Sequence, residues 1–207
     1  MVRVAIVDRR LAVRHGYEAI LRSQGGFAPV GSACGRRDLW PLAYRTDPEL
    51  VLVGEPDGED QLALCPDVAA KLPRARVVVV AEDPGLALAA AFARVDGVVP
   101  ATADVCALLD VLRAAARGEH CLPAVPAAVQ RRAAARLGTH DRAILAMRLA
   151  GTAERDIAVT VGLRRGQLAG RYARIVAALR GGAVAPAGPE PAFFAGDTQP
   201  HSGRRTA

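Results

Sequence analysis

The feature that most constrains the fold is an alternation of short apolar runs and helix-like segments along residues 1–120. Val, Ile and Leu dominate the runs, as is typical of buried parallel strands; the runs lie at residues 2–8, 27–33, 50–53, 76–82 and 97–99. Apolar residues at helical spacing predict helices at residues 11–25, 36–45, from about Pro66, 85–95 and 103–118. Parallel strands need such crossover connections. The pattern therefore predicts an α/β fold, with a doubly wound, five-stranded parallel sheet.

The rest of the chain has a different organisation. Residues 121–136 combine prolines with an Ala- and Arg-rich helical stretch, which indicates a linker. Residues 137–180 have apolar residues at helical spacing throughout, which predicts a small all-α domain. Residues 181–207 are dense in Gly, Pro and Ala without periodicity, which predicts a disordered tail.

Charge is distributed unevenly between the two halves. Residues 1–120 carry 14 Lys and Arg against 16 Asp and Glu, whereas residues 121–207 carry 13 Arg against 5 Asp and Glu. The net charges are therefore −2 and +8. A basic second half favours a nucleic-acid partner for that half. Genomic bias towards Arg is the alternative, but bias alone does not concentrate the excess in one half.

Several function classes have no support in the sequence. No run of 18 apolar residues is present, and "MVRVAIVD" enters a strand-like run without a leader pattern, so we expect a cytoplasmic protein. No constellation of catalytic or metal-ligating residues appears, and we expect neither an enzyme nor a bound metal or cofactor. The four cysteines, Cys34, Cys65, Cys106 and Cys121, lie far apart in the sequence. We therefore expect them to be buried, reduced thiols.

Over residues 2–180 the chain resembles the response regulators of the LuxR/NarL/FixJ type. The segments that carry the resemblance are "VRVAIVD", "RVVVV", "GVVP" and "AAARGEHCLP", together with an ungapped match of residues 137–180 to the helix-turn-helix pattern of that family. The resemblance implies a receiver-like domain at residues 1–120 and a LuxR-type helix-turn-helix DNA-binding domain at residues 137–180.

The sequence lacks most of the residues that phosphorylation of a receiver requires. A receiver needs an aspartyl nucleophile, acidic residues that hold a divalent cation, and a Ser/Thr and a Lys that contact the phosphoryl group. On the family pattern, Asp8 keeps the first acidic residue and Arg9 replaces the second. Gly54 stands at the position of the aspartyl nucleophile, Ala81 at that of the Ser/Thr and Ala101 at that of the Lys. The resemblance therefore implies a degenerate, non-phosphorylatable receiver pocket.

Other charged residues surround this pocket. We expect Arg9 to pair with Asp8 or Glu82 and to occupy the space of the metal. Acidic residues follow Gly54 at Glu55, Asp57, Glu59 and Asp60, and with Asp8 and Glu82 they offer an alternative cation site. A solvated acidic loop is the simpler interpretation of the same residues.

The helix-turn-helix match assigns candidate DNA contacts. We predict a first helix at about residues 153–161 and a second at 165–179, with Leu168, Tyr172, Ile175 and Leu179 on its core side. Side chains that suit adenine or guanine edges are Gln167, Arg171 and Arg174. Arginines that suit phosphate contacts are Arg155, Arg164 and Arg165.

These features predict a DNA-binding transcription regulator that acts without aspartyl phosphorylation. The resemblance implies a homodimer formed through residues 84–118, which suits a two-fold DNA site. Gly170 and Ala173 lie on the groove-facing side and carry no hydrogen-bonding side chain. This leaves two alternatives open: a module that heterodimerises with another regulator without reading DNA, and a regulator that binds a small molecule at the vacated pocket.

Overall fold

A computed structural model of the protein describes residues 1–122 and 124–180. The strands β1 to β5 span Val2–Val7, Phe27–Ala33, Leu50–Val53, Arg76–Ala81 and Gly97–Pro100. They form one sheet in the order β2-β1-β3-β4-β5, and all neighbouring strands are parallel. The predicted five-stranded, doubly wound sheet is confirmed.

Helices cover both faces of this sheet. The helices α1 to α5 span Leu11–Ser23, Arg36–Thr46, Gln61–Lys71, Pro84–Ala90 and Val105–Ala116. Side chains alternate between the faces along each strand: Ile6 and Leu52 pack with α1 and α5, whereas Val7 and Val53 pack with α2, α3 and α4. Because both faces are buried, the strands are continuous apolar runs rather than alternating ones.

Two helices differ from the sequence prediction. Helix α3 begins at Gln61 and contains Pro66, because the Asp60 carboxylate accepts the Leu62 N–H at 2.7 Å and caps the helix five residues earlier than predicted. Helix α4 ends at Ala90 instead of continuing to residue 95. The next residues donate to carbonyls three positions back, including Phe92 N–H to Ala89 at 3.0 Å, so the chain tightens into 3₁₀-type turns.

The second half is helical in its described part. Helices α6 to α9 span Ala127–Ala135, Thr139–Leu149, Glu154–Thr160 and Arg165–Leu179, so the segment predicted as a linker contains a helix. Cys121 bonds with Asp96 and Val98, which attaches the start of that segment to the edge of the sheet. The predicted tail, residues 181–207, lies outside the described residues.

The cysteines do not share one environment. Cys65 is buried, Cys34 and Cys121 are partly exposed, and Cys106 is exposed. The expectation of burial was wrong for Cys106, because it lies on the solvent side of α5, away from the core residues Leu108, Leu109 and Leu112.

No helix within residues 1–122 and 124–180 combines the length and the apolar character that crossing a bilayer requires.

The packing of α5 on the sheet gives a stability prediction. Leu112 is fully buried between α5 and the sheet, so Leu112→Ala should lower the free energy of unfolding by about 2–5 kcal/mol. Urea denaturation followed by circular dichroism measures this. Leu11→Ala is the control, because Leu11 is 56% exposed and its loss should change stability by about 0.5 kcal/mol or less. Equal losses in the two variants would contradict the described core.

Candidate functional site

The carboxyl-terminal edge of the sheet is organised around Asp8, which follows β1. Its carboxylate is fully buried and accepts four hydrogen bonds. Oδ1 accepts the Arg10 backbone N–H at 2.8 Å and Arg10 Nε at 2.9 Å, and Oδ2 accepts Arg10 Nη2 at 2.8 Å and the Glu55 N–H at 3.0 Å. A carboxylate has about four acceptor positions, so Asp8 has no capacity left for a metal ion.

Arg10 also holds together the other carboxylates at this edge. Its Nη1 donates to Glu82 Oε1 at 3.0 Å and lies 3.7 Å from Glu55 Oε2. The carboxylates of Asp8, Glu55 and Glu82 therefore surround one guanidinium group. This arrangement has the charge complementarity of a cation site, but the cation belongs to the chain itself.

The prediction for Arg9 was wrong in its partner. Arg9 Nη2 pairs with Glu55 Oε1 at 2.8 Å, and half of the Arg9 side chain is exposed. The group that reaches Asp8 and Glu82 is Arg10, the N-cap of α1, because the chain turns after Asp8 and places residue 10 over the carboxylate. The signal for this in the sequence was the second Arg of "DRR", which follows Asp8 at the spacing of a local side-chain to backbone turn.

Gly54 at the end of β3 makes this arrangement sterically possible. A Cβ at position 54 would lie 3.0 Å from Asp8 Cγ and would overlap Asp8 Oδ2. The Asp8 side chain thus occupies the space that a side chain at position 54 needs. The buried position of the Asp8 side chain therefore depends on the absence of a side chain at Gly54.

The pKa of Asp8 reflects these opposing effects. Burial alone would raise the pKa of Asp8 by disfavouring its charge. The hydrogen bonds from the Arg10 side chain and from the N–H groups of Glu55 and Arg10, with the Arg10 charge, outweigh burial and hold the pKa below its ordinary value. The hydrogen bond to Asp8 correspondingly raises the pKa of Arg10.

Three of the four acidic residues in the loop after β3 pair with arginines; Asp57 is the exception among the described residues. Glu55 pairs with Arg9, Glu59 pairs with Arg36 at 2.8 Å, and Asp60 pairs with Arg180. Among the residues that the structure describes, no group of three or more potential ligands could hold a metal ion.

Ala81 and Ala101 lie at the ends of the two strands beside this site. Ala81 ends β4, and its carbonyl accepts the Ala101 N–H at 2.8 Å, just beyond β5. Each contributes a methyl group where the family pattern has a hydroxyl or an ammonium group. Gln61, which the sequence analysis did not single out, bridges the strand ends by donating to the carbonyls of Val53 at 2.8 Å and Val80 at 2.7 Å.

The second candidate site is the pair α8 and α9. The predicted core side of α9 is confirmed, because Leu168, Tyr172, Ile175 and Leu179 are all buried. The exposed or partly exposed candidate contacts are Arg155 on α8, Arg164 immediately before α9, and Gln167 and Arg174 on α9. Arg165 is the first residue of α9.

Two of the predicted DNA contacts already have intramolecular partners. Arg171 Nε lies 3.0 Å from Asp141 Oδ1, and less than a fifth of either side chain is exposed. The Gln167 Oε1 accepts the Arg164 N–H at 2.9 Å, which caps the start of α9. The Gln167 NH₂ group and the second lone pair of its oxygen remain available for a base.

The α9 helix also packs against the receiver-like half. The rings of Tyr172 on α9 and Phe92 contact edge to face with centroids 5.2 Å apart. Arg148 on the neighbouring helix α7 donates from Nε to the Ala91 carbonyl at 2.8 Å. Ala169 and Ala173, on one flank of α9, line a cavity between the two halves. The segment after α4 therefore covers one side of the helix that the sequence assigned to the DNA groove.

Comparison with solved structures identifies the architecture. RcsB from Salmonella enterica serovar Typhimurium, bound to promoter rprA in the presence of phosphomimetic BeF3-, matches with TM-score 0.57 and 16% identity over 86% of this chain and 92% of that chain. A LuxR-family two-component response regulator from Aurantimonas sp. SI85-9A1 matches with TM-score 0.55 and 23% identity, over 66% and 98% of the chains. The chain has the fold of LuxR-family response regulators.

A further structure contains two RcsB dimers bound to two parallel DNAs; it matches with TM-score 0.57 and 17% identity over 86% of this chain and 91% of that chain. The sequence itself matches no protein-family model and none of the curated proteins.

The neighbouring arginines give a matched stability test of the Asp8 site. Arg10→Ala should lower the free energy of unfolding by about 1–3 kcal/mol, because it removes both side-chain donors and the positive charge beside a buried carboxylate. Arg9→Ala should cost less than about 1 kcal/mol, because it removes only an exposed ion pair. Urea unfolding at pH 7 compares them, and a larger loss in Arg9→Ala would contradict the described geometry.

The lowered pKa of Asp8 predicts a pH dependence. Its stabilising contribution is complete above the ordinary Asp pKa of about 4 and is lost as the pH falls through the lower folded-state pKa. Asp8→Asn should therefore be less stable than the wild type at pH 7 and should lose less stability on acidification to pH 3. Unfolding free energies at both pH values test this; parallel losses in the two proteins would count against the charged form of Asp8 as the stabilising species.

Proposed function

We propose that the chain is a DNA-binding transcription regulator that acts in the cytoplasm and whose receiver-like domain, residues 1–120, works without aspartyl phosphorylation. The observation that supports this most is the buried contact between Asp8 and Arg10 over Gly54. It leaves the sheet edge without an available phosphoryl acceptor, and the same chain carries a basic, helix-turn-helix-like segment at residues 137–180. On this proposal residues 121–136, including α6, connect the two domains.

The side chains at this edge of the sheet already bind one another, and phosphoryl transfer would have to displace them. A phosphoryl acceptor needs an exposed carboxylate and a nearby divalent cation. Position 54 is glycine, and the carboxylate of Asp8 is saturated by donors. Arg10 supplies a permanent positive charge among Asp8, Glu55 and Glu82. We therefore assign this pocket a structural role.

The DNA contacts are assigned from exposure and free hydrogen-bonding capacity for Arg155, Arg164, Gln167 and Arg174, and from its position at the start of α9 for Arg165. Arg155, Arg164 and Arg165 are proposed to contact phosphates, which gives affinity without sequence preference. Arg174 and Gln167 are proposed to contact base edges. Arg171, which was an equal candidate in the sequence, is proposed to position α9 through Asp141 instead.

A homodimer is part of this proposal. In RcsB, two dimers are bound to two parallel DNAs. The α4 to α5 surface that the resemblance implies for dimerisation is available only in part, because α4 is buried between the sheet and the second domain. Val105 on α5 is 42% exposed, so α5 is the part of this surface that is open while α9 remains packed.

Packing of α9 against the receiver-like half should limit DNA binding. Phe92→Ala removes the edge-to-face contact with Tyr172 and should raise DNA affinity several-fold by favouring the undocked state. Fluorescence anisotropy with labelled DNA measures it. Tyr44→Ala is the control, because Tyr44 is 67% exposed and lies on α2. A folded Phe92→Ala protein with unchanged or weaker binding would contradict this role of the contact.

The direct test of the DNA-binding proposal is selection of a preferred site from random DNA, followed by salt-titrated binding. Arg174→Ala should cost about 1–3 kcal/mol on the selected site and reduce the preference for it. Arg155→Ala should weaken binding to all sequences and reduce the salt slope by about 1. Arg45→Ala, an exposed arginine on α2, should change neither.

Failure to bind DNA would favour the alternative of an interaction module that heterodimerises with another regulator. Gly170 and Ala173 motivate this alternative, because neither offers a hydrogen-bonding side chain to a base. Retained site preference in Arg174→Ala together with Gln167→Ala would show that the proposed base contacts are wrong while leaving DNA binding intact.

The other alternative is a ligand at the vacated sheet edge. A cavity of about 380 Å³ lies there, but much of its wall is formed by charged groups that pair with each other, including Arg9 with Glu55 and Asp60 with Arg180.

A further inference from the structure

A second, larger cavity lies between the two halves of the molecule. Its volume is about 940 Å³, which is within the usual range of small-molecule sites. Helix α3 and the turns after α4 form one wall, and α9 forms the other. The cavity is separate from the sheet-edge pocket, although Asp60 and Arg180 border both.

The cavity exists because small side chains face each other across it. Alanines on both walls line the space: Ala63 and Ala93 on one side, and Ala169, Ala173 and Ala177 on the other. Ala93 is buried and the other four alanines are exposed, so the space is an open cleft rather than a void in the interior. Larger residues at these positions would fill the gap, so the sequence leaves a volume with an apolar lining that a ligand can occupy.

Two polar groups of the wall, on Arg94 and Tyr172, have no partner among the described residues, whereas Asp60 and Arg180 pair with each other. Arg94 is exposed at the cavity, and its side chain forms no hydrogen bond or ion pair with the residues that the structure describes. Its backbone adopts φ 53°, a conformation that is uncommon for a non-glycine residue. Tyr172, only 7% exposed, belongs to the same wall, and its hydroxyl has no hydrogen-bond partner in the described part of the chain.

We propose that this cavity binds an apolar molecule that carries a single carboxylate group. The guanidinium of Arg94 matches a carboxylate in charge and in geometry, and the alanine-lined walls accommodate an apolar body. Glu154 also borders the cavity, and its negative charge disfavours a second anionic group on the ligand. Such a molecule contacts both halves at once.

Isothermal titration calorimetry on the full chain tests this proposal with defined probes. Decanoate represents an aliphatic acid and 2-naphthoate an aromatic acid. The probe that binds more tightly shows whether the site prefers an aliphatic or an aromatic carboxylate. Decyltrimethylammonium, with the same chain and the opposite charge, should bind at least about ten-fold more weakly than decanoate. All probes are used below their micelle concentrations.

Three variants locate the site. Arg94→Gln should weaken carboxylate binding by about ten-fold or more, because a charged hydrogen-bonding partner is lost. Ala63→Trp should abolish binding by filling the cavity from the exposed side of α3. Arg74→Gln is the matched control, since Arg74 is exposed outside the cavity, and should bind like the wild type.

The proposal is overturned if neither carboxylate binds saturably, if the cationic probe binds as well as decanoate, or if Arg94→Gln and Ala63→Trp leave binding unchanged. The calorimetric measurement contains no DNA, so its failure is distinguishable from a failure of the proposed regulatory function.

Discussion

The buried carboxylate of Asp8 is the constraint on which the candidate site depends. A charge with no solvent exposure is tolerated only when it is paired and hydrogen-bonded, and Arg10 supplies most of the donors. This requirement fixes the turn from β1 into α1 and draws Glu55 and Glu82 around the same guanidinium group. It also requires the empty position at Gly54. The carboxylates at this edge of the sheet thereby form an internal ion-pair network, in which the chain supplies its own cation.

Much of the fold could be predicted from periodicity. Apolar runs and helical spacing gave all five strands, and they placed α8 and α9 to within a residue or two, because both faces of the sheet are buried and α9 has a single core stripe. The boundaries of α3 and α4 were wrong for local reasons: Asp60 caps α3 early, and 3₁₀-type turns end α4. Neither the early cap nor the 3₁₀-type turns change the spacing of apolar residues, so periodicity does not predict them.

The candidate site was predictable in its residue types but not in its pairings. Aligned motifs indicate that Gly54, Ala81 and Ala101 lack the groups a receiver uses, and this needs no coordinates. The choice of Arg10 over Arg9 as the partner of Asp8 depends on the path of the backbone after β1, which two adjacent arginines do not specify. Likewise, the pairing of Arg171 with Asp141 and the packing of Tyr172 on Phe92 join residues far apart in sequence.

The central claim is that DNA binding is independent of phosphoryl chemistry at the sheet edge. The most direct measurement is the DNA-binding isotherm of the full chain on its selected site, with and without acetyl phosphate and Mg²⁺, with the intact mass recorded on the same samples. The account predicts superimposable isotherms and no gain in mass. A gain of one phosphoryl group accompanied by a change in DNA affinity would contradict it.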